Sequence, residues 1–137
     1  ITNAINIALI LGADPGINLL VTGGEFKPPT LSLTGQKSAD FFENINADKL
    51  FLATAGISLK AGLTYPSISD LCVKRAMIEA SNKVYLVADS TKIGLKSFAS
   101  LGALSLIDHL MTDDEWSKEN INQLQENEVD CIIATHK

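Results

Sequence analysis

The sequence lacks the short strings that mark the commonest nucleotide and metal sites. No Gly-x-x-x-x-Gly-Lys-Ser/Thr and no Gly-x-Gly-x-x-Gly occurs, so ATP and dinucleotide binding lack their phosphate-cradling loops. Cysteine is scarce. Cys72 and Cys131 form no Cys-x-x-Cys pair and no zinc spacing, and read as two buried, reduced thiols in a cytoplasmic setting. The two histidines, His109 and His136, have no partner pattern for a metal or a catalytic triad, and His109 reads as structural. Neither a metal nor a cofactor is expected. No apolar run reaches the roughly 20 residues of a membrane span, and no signal peptide is visible. Basic residues are too few for a nucleic-acid surface: a net charge of −5 repels phosphate backbones. Trp116 is the single tryptophan and is assigned to packing.

What is present is a globular composition, 46% apolar and 20% charged over 137 residues, the size of one domain. The chain opens on Ile1 rather than Met and reads as an excised domain or a processed fragment. Helical periodicity predicts helices over residues 3–12, 35–46, 69–81 and 114–127. In the first, Asn3 is the candidate N-cap and Gly12 the stop. In the second, Ala39, Phe42 and Ile45 share one face. In the third, capped by Ser69 or Asp70, Leu71, Val73, Ala76, Met77 and Ala80 point inward, while Lys74 and Arg75 take the wet face. The fourth begins on Asp113, Asp114 and Glu115, which suit a helix N-terminus. Apolar runs at 17–24, 49–57, 83–89, 105–111 and 129–136 predict five strands. Residues 25–30 and 58–69 read as loops, and 96–101 as a turn or short helix.

Continuous apolar strands alternating with helices predict an α/β fold with a mostly parallel sheet covered on both faces. Right-handed crossovers bring the strand C-termini to one edge, where ligands bind in such sheets. Three polar endings fall there: Gly23 with Gly24, Gly56, and Asp89 to Lys92. Glycine amides approach an anion closely. Asp89 can accept hydrogen bonds from sugar hydroxyls, and Lys92 can supply charge to a phosphate or carboxylate. A capped turn with a solvated lysine explains the same spacing. Thr2 and Asn3 offer a hydroxyl and an amide at a helix start, against plain capping by Asn3. Thr64 and Tyr65 lie in a Gly62-containing loop that covers the cleft or forms an ordinary turn.

Taken in order, "ITNAINIALIL", "LLVTGGEFKPPTLSLTG", "ADKLFLATAGISLKAGLTYP", "CVKRAMIEASNKVYLVADSTKIG" and "LSLIDHLMTDD" resemble the C-terminal effector-sensing domain of DeoR-family bacterial transcriptional repressors. The resemblance runs over nearly the whole chain. It implies a Rossmann-like α/β fold similar to ribose-5-phosphate isomerase and CoA transferases. It also implies a phosphorylated sugar or related metabolite as effector, bound near Thr2, Asn3, Gly23, Gly24, Gly56, Asp89, Ser90 and Lys92. Family members bind DNA through an N-terminal winged helix-turn-helix, absent from this chain, and assemble as oligomers. The strand and Gly-Thr-Thr loop that precede the Thr-Asn motif in the family are also missing, which implies a single domain over 1–137 with an incomplete pocket. The expected function is therefore effector sensing without catalysis. A sugar-phosphate isomerase on the same fold, or an oligomerisation module with a vestigial pocket, are the alternatives.

Overall fold

The computed structural model describes residues 1–134, so His136 lies outside the described residues. Helix α1 (Ile5–Leu11) starts later than predicted because Asn3 does not cap it. Asn3 is buried instead, and its Nδ2 donates to the Leu33 carbonyl at 2.9 Å. The Ala4 amide at the helix start donates to Thr2 Oγ1 at 3.1 Å. Residues 17–24 do not form the predicted strand. Their pairing is one parallel bridge, Thr2 with Val21, closed by Thr2 N to Leu20 O (2.9 Å) and Thr22 N to Thr2 O (3.1 Å). The neighbouring segment coils into α1 at Ile5, so the ladder has nothing to extend along.

The predicted loop 25–30 is instead half of a hairpin, β1 (Glu25–Lys27) against β2 (Ser32–Thr34), antiparallel. Pro28 and Pro29 sit at its tip, where their missing donors break no ladder bond. Helix α2 (Gln36–Asp40) runs on as turns over 41–44. The expected face holds: Ala39 and Phe42 are buried, and Ile45 packs against Phe42 and its neighbours.

Two sheets follow, where the sequence predicts one. The parallel sheet is β3 (Leu50–Leu52), β6 (Val84–Val87), β8 (His109–Thr112) and β9 (Asp130–Ile133), in that spatial order. The second is antiparallel: β4 (Gly56–Ser58), β5 (Gly62–Tyr65) and β7 (Ala99–Gly102). Both the loop expected over 58–69 and the turn expected over 96–101 are thus partly strand. Gly56 does not close a strand but opens β4. Thr64 and Tyr65 are buried β5 residues, not a flap over the cleft.

Helix α3 (Ile68–Glu79) begins after Ser67, with Asp70 inside its first turn. Helix α4 (Lys118–Glu126) starts later than predicted and is capped by Ser117, which accepts from the Asn120 amide at 3.2 Å. The acids at 113–115 precede it. These helices flank the parallel sheet, a Rossmann-like α/β arrangement.

The order β3-β6-β8-β9 advances in one direction. Right-handed crossovers therefore put every connection on one face. That face holds the core residues Leu52, Val84, Leu86 and Leu110, with Trp116, Leu124 and Val129 packed in the same cluster. The other face carries Phe51, Tyr85, His109 and Ile132, with Phe51 63% exposed. Phe51 stacks on Tyr85, and Tyr85 on His109, at ring distances of 5.4 and 4.6 Å. The expected cover over this second face is not among the described elements. His109 is a packing residue in this stack. Among the described residues no helix is long and apolar enough to cross a membrane, and no group of three or more His, Cys, Asp or Glu side chains could hold a metal.

Candidate functional site

The parallel strands end together, as the crossover argument requires. The ends of β3, β6 and β8 line a cavity of about 500 Å³ with Thr54, Asp89, Lys92, Thr112 and Asp113 on its walls. Apolar surface comes from Val87, Ala88 and Met111. The turn Ser90–Lys92 that carries the polar groups is one turn of 3-10 helix. Asp89 caps it: Oδ1 accepts from the Thr91 amide at 2.9 Å and from the Thr91 hydroxyl. The other carboxylate oxygen takes no hydrogen bond among the described residues. Capping and ligand contact are thus compatible, one oxygen to each.

Ser90 faces away from a ligand role. Its amide and hydroxyl both donate to Asp113 Oδ2, at 2.9 and 3.1 Å. Asp113 Oδ1 accepts from the Glu115 amide at 3.1 Å. The acid expected to begin a helix therefore clamps the Asp89–Lys92 turn to the end of β8. Thr112, buried at the same strand end, has a hydroxyl with no partner among the described residues.

A second cavity of about 250 Å³ adjoins the first, with Ala53 and Thr54 common to both. Asn3, Thr30, Ser32, Tyr65, Asp70 and Lys74 line it. The Tyr65 hydroxyl donates to the Ala53 carbonyl at 2.7 Å and fixes the shared wall. Burial holds that phenol above its usual range, with Asp70 adding to the rise against a hydrogen bond from Thr54. Asp70 is buried and engaged. It accepts from Ser67 Oγ at 2.8 Å and pairs with Lys27 Nζ at 3.2 Å, while Lys27 also contacts Ser69 Oγ at 3.1 Å.

Lys74 is not the wet-face residue that periodicity predicts. It lines this cavity, and burial pushes its ammonium below the usual lysine value, opposed in part by Asp70. Below that lowered value the lysine is charged in both folded and unfolded states, and the burial cost is fully present. As pH rises toward the unfolded value near 10.5, the folded state loses its proton first and the cost fades. At pH 7, Lys74→Met is expected to raise the unfolding temperature by about 3 °C in a calorimetric scan.

The glycines divide. Gly23 and Gly24 line neither cavity. Gly24 has φ +128, and a Cβ there would lie 2.6 Å from the Thr34 carbonyl oxygen. Its glycine serves backbone conformation and packing. Gly56 is buried in β4, where a Cβ would stand 2.5 Å from the Leu95 oxygen. Its carbonyl takes the Thr54 and Thr64 hydroxyls at 3.1 and 3.2 Å. Of the candidates that the sequence suggests, Asp89 and Lys92 thus share the first cavity, Asn3 lines the second, and Thr2, Gly23, Gly24, Gly56 and Ser90 line neither. Thr54, Thr112, Asp70 and Lys74 also line these cavities and are not among the candidates that the sequence suggests.

A family model described as the DeoR C terminal sensor domain matches residues 1–114. The chain belongs to this family. The DeoR sensor domain is 35% identical over 135 residues to the HTH-type transcriptional regulator GlpR of Haloferax volcanii, covering 96% of this chain and 52% of the relative. It is 32% identical over 134 residues to the HTH-type transcriptional repressor GlcR of Bacillus subtilis, covering 98% and 52%. It is 29% identical over 113 residues to the glycerol-3-phosphate regulon repressor of Escherichia coli, covering 82% and 45%. The chain spans about half the length of the curated relatives it matches. As a DeoR sensor domain it is a ligand-sensing regulatory module, and the paired cavities at the sheet edge present polar groups.

Proposed function

We propose that this sensor domain takes a phosphorylated sugar or polyol at the C-terminal edge of the parallel sheet and holds it without turnover. Binding then controls the operator affinity of an N-terminal winged helix in the full-length, cytoplasmic, homo-oligomeric regulator. The observation that carries the reading is the convergence of Thr54, Asp89, Lys92 and Asp113 from three strand ends on one cavity. A small polyol has many hydroxyls, and the Asp89 oxygen that takes no hydrogen bond among the described residues and the Lys92 ammonium offer it an acceptor and a donor. One relative's name, the glycerol-3-phosphate regulon repressor, points to the same ligand class. Retention rather than catalysis fits the carboxylates, since Asp113 and one oxygen of Asp89 are already committed to holding the turn. An isomerase needs a base free to move a proton between carbons.

Titration calorimetry with a panel of small sugars and polyols, each with and without phosphate, tests this on the chain itself. One phosphorylated compound is expected to bind, and Asp89→Ala and Lys92→Ala are each expected to weaken it about tenfold or more. Failure of every phosphorylated compound to bind, or its conversion to an isomer detected by NMR, contradicts the proposal.

A further inference from the structure

We infer that Lys74 captures carbonyl compounds: its Nζ forms a reversible imine with the open-chain aldehyde or ketone of a small sugar that enters the second cavity. The geometry comes first. Among the described residues, Lys74 is the single primary amine on the walls of that cavity. It stands within the 12-residue helix α3, which fixes where its side chain begins. The segment Ala53–Ala55 forms another wall and is tied to Tyr65, whose hydroxyl donates to the Ala53 carbonyl at 2.7 Å. A cavity of about 250 Å³, roughly the space of eight waters, takes a small sugar.

Among the described residues, Lys74 Nζ has no hydrogen bond and no carboxylate within ion-pair distance. Asp70, the acid on the same walls, is committed to Lys27 at 3.2 Å and Ser67 at 2.8 Å. No bonded partner therefore pins Nζ as an ammonium. Burial favours the neutral amine, which is the nucleophilic form, with Asp70 opposing in part. A half-buried lysine without a partner costs the fold stability, and attack on a carbonyl is the chemistry that uses such an amine. In the step, the Nζ lone pair forms a bond to the carbonyl carbon and the C=O π pair moves to oxygen. Both amine protons then pass to that oxygen, which leaves as water, and C=N remains. Nothing is oxidised or reduced, and water reverses the step. Donors for the departing oxygen stand on the walls. Thr30 and Ser32 hydroxyls bond each other at 2.6 Å, which uses one of their two protons. Asn3 Nδ2 spends one N–H on Leu33 and retains another.

The inference rests on the sensor reading only for the natural source of the carbonyl, and a simple aldehyde separates the two. Glycolaldehyde with sodium cyanoborohydride reduces any imine to a stable secondary amine, which peptide mass spectrometry locates. After a short exposure at neutral pH, Lys74 is expected to carry a hydroxyethyl group at several times the occupancy of the exposed Lys37, Lys60 and Lys118. Lys74→Arg keeps the charge and is expected to lose that adduct while the exposed lysines label as before. In urea the preference of the unaltered chain is expected to vanish, because every lysine then meets the same solvent. That arm needs no variant and keeps the test decisive should Lys74→Arg fold poorly. Labelling of Lys74 no faster than of the exposed lysines overturns the inference, as does a preference that survives urea. A phosphorylated compound that binds in calorimetry while Lys74 stays unlabelled overturns the capture and leaves the sensor reading standing. Preferential labelling of Lys74 with no phosphorylated compound bound supports the capture and sinks the sensor reading instead.

Discussion

Gly62→Ala is expected to destabilise the domain by about 3 kcal/mol, a fall of roughly 10 °C in unfolding temperature. Gly62 opens β5 with φ +69, a left-handed conformation that an L side chain adopts at a cost. A Cβ there would also lie 1.8 Å from the Gly102 carbonyl oxygen and 2.7 Å from its carbon. Those atoms belong to β7, whose pairing with β5 builds the antiparallel sheet, so neither strand can yield without breaking that register. Leu63 and Ile57, both fully buried, go with it. Gly23→Ala is the contrast. Nothing lies within 4 Å of a Cβ there, and a change within about 0.5 kcal/mol is expected by urea denaturation. Equal losses at the two positions would mean that the β4–β5–β7 sheet is not what Gly62 supports.

Asp70→Asn is expected to move stability and anion affinity in opposite directions. The buried carboxylate holds Lys27 at 3.2 Å and Ser67 at 2.8 Å, and losing its charge leaves Lys27 without its partner. A loss of about 2 kcal/mol is expected, at the low end for a broken buried pair because Lys27 keeps some access to water. The same change leaves Lys27 and Lys74 as two uncompensated cations beside the second cavity. Phosphate is then expected to bind about threefold tighter or better. Weaker phosphate binding together with weaker folding would mean that Asp70 supports the cavity only as scaffolding.

The sequence made α3, β3, β6 and the Asp89–Lys92 turn legible, because a long cap-to-cap run of helix formers and continuous apolar runs are strong signals. The antiparallel sheet was hidden for the opposite reason. Its strands, Gly-Ile-Ser, Gly-Leu-Thr-Tyr and Ala-Ser-Leu-Gly, are broken by glycine and hydroxyl residues rather than continuously apolar, and the Ser-Leu-Lys-Ala-Gly segment that joins two of them has the composition of a loop. Gly62 was the available signal, a left-handed residue where a short hairpin returns.

Lys74 was misplaced because α3 is packed on two sides. Leu71 faces the main core while Val73 and Met77 face α2, which narrows the wet stripe more than a single apolar face implies. Gly23 and Gly24 were read as ligand-facing on the premise that residues 17–24 form a strand of the sheet. That strand is not formed, and the pair lines neither of the two cavities at the sheet edge. The paired carboxylate Asp70 carries no local sequence signature at all, since its partner Lys27 is 43 residues away.

One phosphorylated molecule is expected to span both cavities at the sheet edge. A crystal structure of the chain with the compound that binds best in calorimetry tests this most directly. The expected result places the ligand at the ends of β3, β6 and β8, within hydrogen-bond distance of Asp89 and Lys92. A ligand seated elsewhere, for example in the groove between α2 and α3 lined by Phe42, Cys72 and Arg75, would contradict it.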